Sequence, residues 1–403
     1  MANSVIPMIH HNISNGICSL NPDVDRLTLS IIMEIDKNGC VINHEVKEAV
    51  INSKKKMTYE DVNKILMEDK IVEGYEDYIE NLKLCNELSF ILSERYKKRG
   101  YLHFKTDEIK VKTDKNGKAI DFIPTQNLAG QKIIEMFMLT ANRTIAEDYA
   151  YMPFAFRIHD IPDMTELEEV LKQIKNLGYD INLNNLDNPL KLSSVFKKLY
   201  ESGNYSVISP FILKAMAKAR YSKENVGHFG LGFEYYTHFT SPIRRFNDLL
   251  VHTLIKAYNN PKLNDEVINN LEKELVQICE HISQKEVLAD EAQSEALKCK
   301  MAEYMQDYIN EYFNGKIINI GSKYITVRLE NGIIGKVYYD DIKGGNYYFD
   351  GNNCKVVGID NNKEYNLTDY VRVKVLMSSK KLRTIKFKLV QNLEHVKTKT
   401  LVS

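Results

Sequence analysis

Apolar residues recur at three- and four-residue spacing from Tyr78 through Leu82, Cys85, Leu88 and Leu92 to Tyr96, the period of a helix with one buried face. Gly100 follows as a left-handed stop. Lys97, Lys98 and Arg99 in the last turn either complement the helix dipole or contact phosphate. Helical patterning dominates from residue 58 to 177 and includes a second helix from about Lys132 to Glu147. Thr165-x-x-Glu168 reads as a capping box for a third, with Leu167, Val170, Leu171, Ile174 and Leu177 inward and Gly178 at its end. Two short strands around Asn116-Gly117 interrupt the run between residues 101 and 125. Residues 1 to 50 are β-rich and irregular: Asn15-Gly16 and Asn21-Pro22-Asp23 mark turns, and Leu27 to Ile35 forms a strand. Asp23 and Asp25 beside that proline read as a solvated turn rather than a metal site.

Further along, Pro242 sits where a helix can begin, with Leu249, Leu250, Thr253 and Leu254 as its apolar stripe. From about Leu263 to Phe313 the chain is nearly unbroken helix, charged and free of proline and glycine. The period then changes. Lys316–Ile320, Tyr324–Leu329, Gly335–Tyr339, Val371–Leu376 and Thr384–Leu389 alternate as strands, separated by Asn331-Gly332 and Gly344-Gly345. Five strands with an insertion after the third predict a small OB-type barrel. The expected fold is therefore α+β: a mixed domain over residues 1–312, a barrel over 313–392 and a short polar tail over 393–403.

Composition narrows the class. A length of 403 residues argues for two or three domains. With 54 basic and 54 acidic residues, any polyanion must be held by a local basic patch rather than by net charge. Six cysteines lie far apart with no zinc spacing, as expected of reduced, buried thiols in a cytoplasmic protein. No apolar run is long enough to span a bilayer, and the start of the chain has no signal-peptide pattern. The expectation is a soluble, cytoplasmic monomer without a membrane partner.

Residues 227 to 246, GHFGLGFEYYTHFTSPIRRF, keep neither period. Rings, hydroxyls and an Arg-Arg pair crowd together here, in a chain with only 11 arginines. Guanidinium forks suit phosphate oxygens, hydroxyls donate to the same oxygens, and rings offer stacking faces to unpaired bases. Tyr236, His238, Thr240, Ser241 and Arg245 are thus candidate RNA contacts; the alternative is a loop-to-helix junction with buried aromatics. His228, His238 and His252 fit no zinc pattern, and no metal ligand is assigned.

This segment resembles the signature of the ribonuclease II/R (RNB) family of 3'→5' exoribonucleases, roughly GHFGLxxxxYxHFTSPIRRYxDLxxHR. It departs at Phe246, where tyrosine is usual, and at Thr253, where arginine is usual. SNGICSLNPDVDRLTLS (14–30), KIIEMFMLTAN (132–142) and FRIHDIP (156–162) resemble further family segments, with Met136 in place of a glutamate. GKIINIGSKYITVRLENGIIGKVYYDDI resembles the S1-type RNA-binding barrel that closes such chains.

The resemblance implies an enzyme that takes single-stranded RNA and releases 5'-monophosphates with magnesium. It implies catalytic roles for Arg244, near the scissile phosphate, and Glu286, in SQKEVLADE, where Val287 departs from the family's arginine. It implies base stacking on Phe104, and RNA contacts from Tyr324, Lys336 and Tyr338, with Tyr339 nearby. Arg157 and His159 either contact phosphate or form a buried polar pair. The family's metal-holding aspartates lie upstream of a VIPM segment, here residues 5 to 8. The expectation is an N-terminally incomplete RNB-like domain without that cluster, the preceding tyrosine or the cold-shock barrels. Asp340-Asp341 and Glu147-Asp148 offer no substitute. Three functions follow as alternatives: an exoribonuclease-family chain inactive by itself, a non-catalytic RNA binder acting through the barrel, or one half of a split enzyme with a separately encoded N-terminal partner.

Overall fold

The computed structural model describes residues 4–102, 108–125, 127–260, 264–351 and 354–393. Asn15-Gly16 lies inside a short π-type helix, Asn12–Ile17, rather than a simple turn. Strands β1 (Asp25–Ile35) and β2 (Val41–Asn52) pair as an antiparallel hairpin. Leu29, Ile31 and Val46 pack its inner face on the helical body. Next come α1 (Tyr59–Glu68), capped by the Thr58 hydroxyl, and α2 (Ile79–Lys97). The hairpin of β3 (Glu108–Thr113) and β4 (Ala119–Thr125) precedes α3 (Ala129–Asp148) and β5 (Phe156–Ile158).

The third predicted helix, α4 (Met164–Asn176), is present, but its cap is not Thr165. Asp163 accepts hydrogen bonds from the Thr165 and Glu166 amides, which are 2.8 and 3.2 Å away. A carboxylate two residues earlier outcompetes the hydroxyl because it also complements the helix dipole. Leu167, Leu171 and Ile174 are buried against α5 (Pro189–Glu201) and α6 (Tyr205–Ala215), forming one helical core. Strand β6 (Arg220–Ser222) then pairs with β5.

Helix α7 spans Phe246–Tyr258, starting after Pro242 rather than at it. The intervening residues form a tight turn, in which the Arg244 and Arg245 amides donate to the Ser241 carbonyl. The stripe also differs from expectation. Val251, Leu254 and Ile255 are buried together with Asn247 and Asp248, whereas Thr253 is exposed. Two buried polar residues set the phase of the helix, and an apolar count cannot see them.

Helix α8 (Asp265–Met305) runs for about 60 Å at the usual rise. It stops short of the expected Phe313 because Tyr312 and Phe313 are captured by the barrel ladder, opposite Lys374 and Val373. Strands β7 (Tyr312–Ile320), β8 (Tyr324–Leu329) and β9 (Ile334–Tyr338) are followed by a small inserted sheet of β10 (Tyr347–Asp350), β11 (Lys355–Gly358) and β12 (Glu364–Asn366). Strands β13 (Tyr370–Ser379) and β14 (Thr384–Leu393) complete a closed barrel in the order β13-β14-β9-β8-β7. Ile325, Val327, Val337, Val373 and Phe387 fill it. Gly335 is required there: a Cβ would sit 2.4 Å from the Phe387 ring. Met301, Ala302 and Met305 of α8 continue the same core, so the helix plugs the barrel onto the body.

The hairpin's apolar face extends past its cover. Leu27 and Val50 stand opposite each other in register and are 88% and 62% exposed. Leu27→Thr with Val50→Thr places a β-branched, strand-favouring residue at both positions while removing that surface. The double variant is expected to self-associate less in sedimentation, with folding stability within about 0.5 kcal/mol of the parent. Unchanged association would show that the pair is not a sticky surface.

Candidate functional site

The turn before α7 is built around one carboxylate. Asp248 is fully buried, and its Oδ1 accepts from the Ser241 amide at 2.6 Å and from Arg245 Nη2 at 2.8 Å. Arg245 is thereby drawn inward, with its side chain 16% exposed, while Arg244 is left facing out. A second buried polar residue, Asn142 of α3, holds the irregular segment leading into the turn. Its Oδ1 accepts from the Phe239 and Thr240 amides at 2.9 and 3.3 Å, and its Nδ2 donates to the Tyr236 hydroxyl at 3.1 Å. Asn247 Nδ2 donates to the His238 carbonyl at 3.1 Å. At the start of the segment, Gly232 at φ +64° lets the chain pass so close to α2 that a Cβ would lie 2.5 Å from the Arg99 carbonyl.

Tyr236 and His238 do not present free faces. Tyr236 is 5% exposed and wedged edge-on between the His228 and His238 rings at 5.4 and 5.6 Å. His238 Nδ1 shares a 2.9 Å hydrogen bond with the Tyr221 hydroxyl. Both support the turn. Ser241 is committed through its backbone to Asp248 and to the two arginine amides. By contrast, His228 Nδ1, Thr240 Oγ1, Arg245 Nε, Asn247 Oδ1 and Asp248 Oδ2 are buried with no hydrogen-bond partner among the described residues. Buried polar atoms are normally bonded, so these five are a concentration of unmet hydrogen-bonding groups within the segment.

Glu286 reaches the site from α8. Its Oε2 pairs with Arg157 Nη1 at 2.5 Å, and the Arg157 guanidinium lies over the Tyr221 ring at 4.6 Å. Arg244, Arg245, Tyr221, Glu286 and Asp290 line one open cleft of about 960 Å³. On the far side of the ion pair, Arg157, His159, His228 and Lys218 line a second, of about 440 Å³. His159 is 7% exposed, accepts from the Gly230 amide and stacks on His228 at 5.2 Å. Arg157 and His159 thus each have partners of their own, Glu286 for one and His228 with the Gly230 amide for the other, and each borders a cavity.

The barrel residues stand apart from these clefts but close to one another. Tyr324 and Tyr338 are register partners with rings 5.5 Å apart, and Lys336 Nζ lies 4.3 Å over Tyr324. Tyr339 instead packs against the barrel core, its hydroxyl bonded to the Gly321 carbonyl. Phe104 lies outside the described residues. Asn142, Asn247, Asp248 and Tyr221 were missed by sequence reasoning. The available signal was a polar residue recurring within an apolar helical stripe.

A metal site finds no support in this cleft. Glu286 is engaged by Arg157 and Asp248 by Arg245. Among the described residues no three His, Cys, Asp or Glu side chains gather where they could hold an ion. Burial disfavours the charged form of four histidines: it pushes His228 and His238 well below the usual imidazole value, and lowers His159 and His252 less far.

The fold is a helix-and-sheet body carrying an arginine turn, continued by an OB-type barrel. The chain belongs to the RNB domain family, whose model matches residues 1–261. Ribonuclease R of Thermotoga maritima is 36% identical over 97% of this chain and 56% of its own length. Ribonuclease R 1 of Lactococcus lactis is 34% identical over 95% and 47%. The chain thus spans about half the length of these curated relatives. Mycoplasma genitalium RNase R, solved with ribose-methylated single-stranded RNA, shares the fold with a TM-score of 0.89 at 24% identity, over 96% of this chain and 61% of that one.

Two outcomes follow from this geometry. Asp248→Ala strands the Arg245 charge and the Ser241 amide, and is expected to cost about 3–5 kcal/mol in denaturant unfolding. Arg244→Ala, facing solvent, should stay within about 0.5 kcal/mol; equal losses would refute the inward–outward division. Lowered histidine pKa values mean that the unfolded chain binds more protons once the pH drops below the free imidazole value of about 6.5. Stability should be constant above that pH and decline below it, read as melting temperature between about pH 7.5 and 5.5. His228→Phe should flatten the decline, and a melting temperature that ignores pH over this window would contradict the burial of these rings.

Proposed function

We propose that this chain is the RNA-handling part of a ribonuclease R-like 3'→5' exoribonuclease, gripping single-stranded RNA for hydrolytic release of 5'-nucleoside monophosphates. The observation that carries the reading is the split fate of the arginine pair. Arg245 is consumed by Asp248, so Arg244 stands free at the mouth of a cleft shared with Glu286. A guanidinium held at that position can meet a phosphate oxygen and stabilise charge as it develops there. Glu286 acts by fixing Arg157, which keeps a second guanidinium at the wall of the neighbouring cleft.

Phe104 is proposed, by its place in the family pattern, as the stacking ring. Tyr236, His238 and Ser241 are proposed to act through the turn they hold, and the unpartnered Thr240 hydroxyl as a direct donor. Magnesium is the family's expected ion, but the cleft offers no ligand set, so no hydrolytic step is assigned to these residues. We infer that the 403 residues bind RNA without releasing nucleotides by themselves, and that the metal-holding carboxylates come from polypeptide outside them. A cytoplasmic setting is proposed from the family pattern; among the described residues no helix is long and apolar enough to cross a membrane. The second reading, a binder acting through its barrel, is favoured by the half-buried Tyr324–Tyr338–Lys336 group on the barrel.

Binding and release are separable in the test. Against a fluorescent oligouridylate, Arg244→Ala is expected to weaken affinity by about 1.5–3 kcal/mol, the worth of a charge-assisted hydrogen bond. The matched DNA should bind less tightly, since 2'-hydroxyls distinguish the two. Product analysis with magnesium or manganese should detect no mononucleotides from the chain alone, and some when a polypeptide carrying the aspartate cluster is added. Unaltered affinity in Arg244→Ala would leave the barrel reading in place of the cleft. Nucleotide release by the pure chain, abolished by chelator, would reveal a metal site in these residues.

A further inference from the structure

The basic end of α2 takes no part in the cleft of Arg244. Lys97 is held there by Glu94 at 2.6 Å, whereas Arg95 and Arg99 have no ion pair among the described residues. Arg143 of α3 joins them. Its guanidinium stands 5.8 Å from the Phe233 ring, and that ring meets Tyr96 of α2 edge-on at 4.9 Å. The Arg99 carbonyl is pressed against Gly232, so Arg99 and Arg143 meet at Gly232 and Phe233. Arg95 lies one turn before Arg99, its stem under the β1–β2 turn, where a Cβ on Gly39 would lie 3.4 Å from its Cδ. Three of the chain's 11 arginines are thus gathered at one place, and none of them lines the Arg244 cleft.

Their charges are incompletely met. Glu147 holds Arg143 at 2.5 Å. Asp187 and Glu234 border a pocket with Arg99, and neither pairs with it. Asp36, in the turn above Arg95, has its Oδ1 committed to the Asn38 and Cys40 amides. Arg95 Nε is buried without a hydrogen-bond partner. Burial, and after it the charges of Arg143 and Arg95, hold Arg99 below the usual guanidinium value. Complementing the helix dipole would account for cations at the end of α2. It does not account for Arg143, which precedes the last turn of α3, or for an orphaned donor inside the group.

We propose that Arg95, Arg99 and Arg143 form a binding site for a phosphate dianion, either inorganic phosphate or the 5'-phosphate of a nucleotide. Guanidinium forks match phosphate oxygens with paired hydrogen bonds, which lysine cannot do. Three guanidiniums against the one carboxylate of Glu147 leave two positive charges. A phosphate monoester, with a charge of about −1.5 to −2 at pH 7, meets that excess. A phosphodiester, with a single charge, would leave part of it unmet. The site stands apart from the cleft and does not depend on the reading of the chain as an RNA binder.

The test follows the melting temperature of the full chain as chloride is exchanged for inorganic phosphate at fixed ionic strength. The parent should show a saturable rise on top of the gradual one that phosphate gives any protein through exclusion from its surface. Arg99→Gln should move the midpoint of the saturable part to roughly 10-fold higher phosphate or beyond, the loss of one charge-assisted hydrogen bond. Arg95→Gln with Arg99→Gln should leave the gradual rise alone. In phosphate-free buffer Arg99→Gln should melt at or above the parent temperature, because a repelling charge has gone; a lower value would assign Arg99 to the helix end and overturn the site. Uridine 5'-monophosphate and uridine separate the sources. Saturation by the monophosphate at lower concentration than inorganic phosphate assigns the site to a nucleotide, and equal midpoints assign it to phosphate itself. Uridine should have no effect, and a response equal to that of its monophosphate overturns a site built on the dianion. A parent without the saturable rise, or one whose rise survives the double substitution, overturns it as well. Loss of oligouridylate affinity in the double variant, with no phosphate response in the parent, would place these arginines on an RNA strand instead.

Discussion

One buried carboxylate organises the site. Removing Asp248 from water is costly unless its charge is met, and the chain meets it with the Ser241 amide and the Arg245 guanidinium. Both partners lie within one turn of chain, so satisfying the charge fixes the path of residues 241 to 245 before any ligand arrives. Of two adjacent arginines one becomes structural, and its neighbour is left facing out. Asn142 fixes the preceding segment in the same way, using both ends of its amide. The aromatic residues around these two anchors are packing, not display.

Helix α8 connects this turn to everything else. Its first half packs Leu275, Cys279 and Ile282 against α7 and β5–β6, its middle delivers Glu286 to Arg157, and its end seals the barrel with Met301 and Met305. A single rigid element therefore sets the placement of the cleft wall relative to the barrel surface.

Much of this architecture was legible in the order of residues. The helical period from Tyr78 to Tyr96, the five strands after residue 312 and the insertion between the third and fourth follow from periodicity and turn residues, which depend on neighbours a few positions apart. The importance of residues 227 to 246 was legible too, because a stretch of rings, hydroxyls and arginines without a helical or strand period cannot be a plain core element. What only the tertiary structure decided was the division of labour inside it. Arg244 and Arg245 are identical in chemistry and adjacent in sequence, and a fully buried carboxylate three residues on decides which one faces out. Tyr236 and His238 looked like stacking faces until Asn142, 94 residues away from Tyr236, was seen to hold that segment in the core. Glu286 acquired its role only through Arg157, 129 positions earlier. Local patterns set which elements form; long-range burial of polar groups sets which side chains remain free to act.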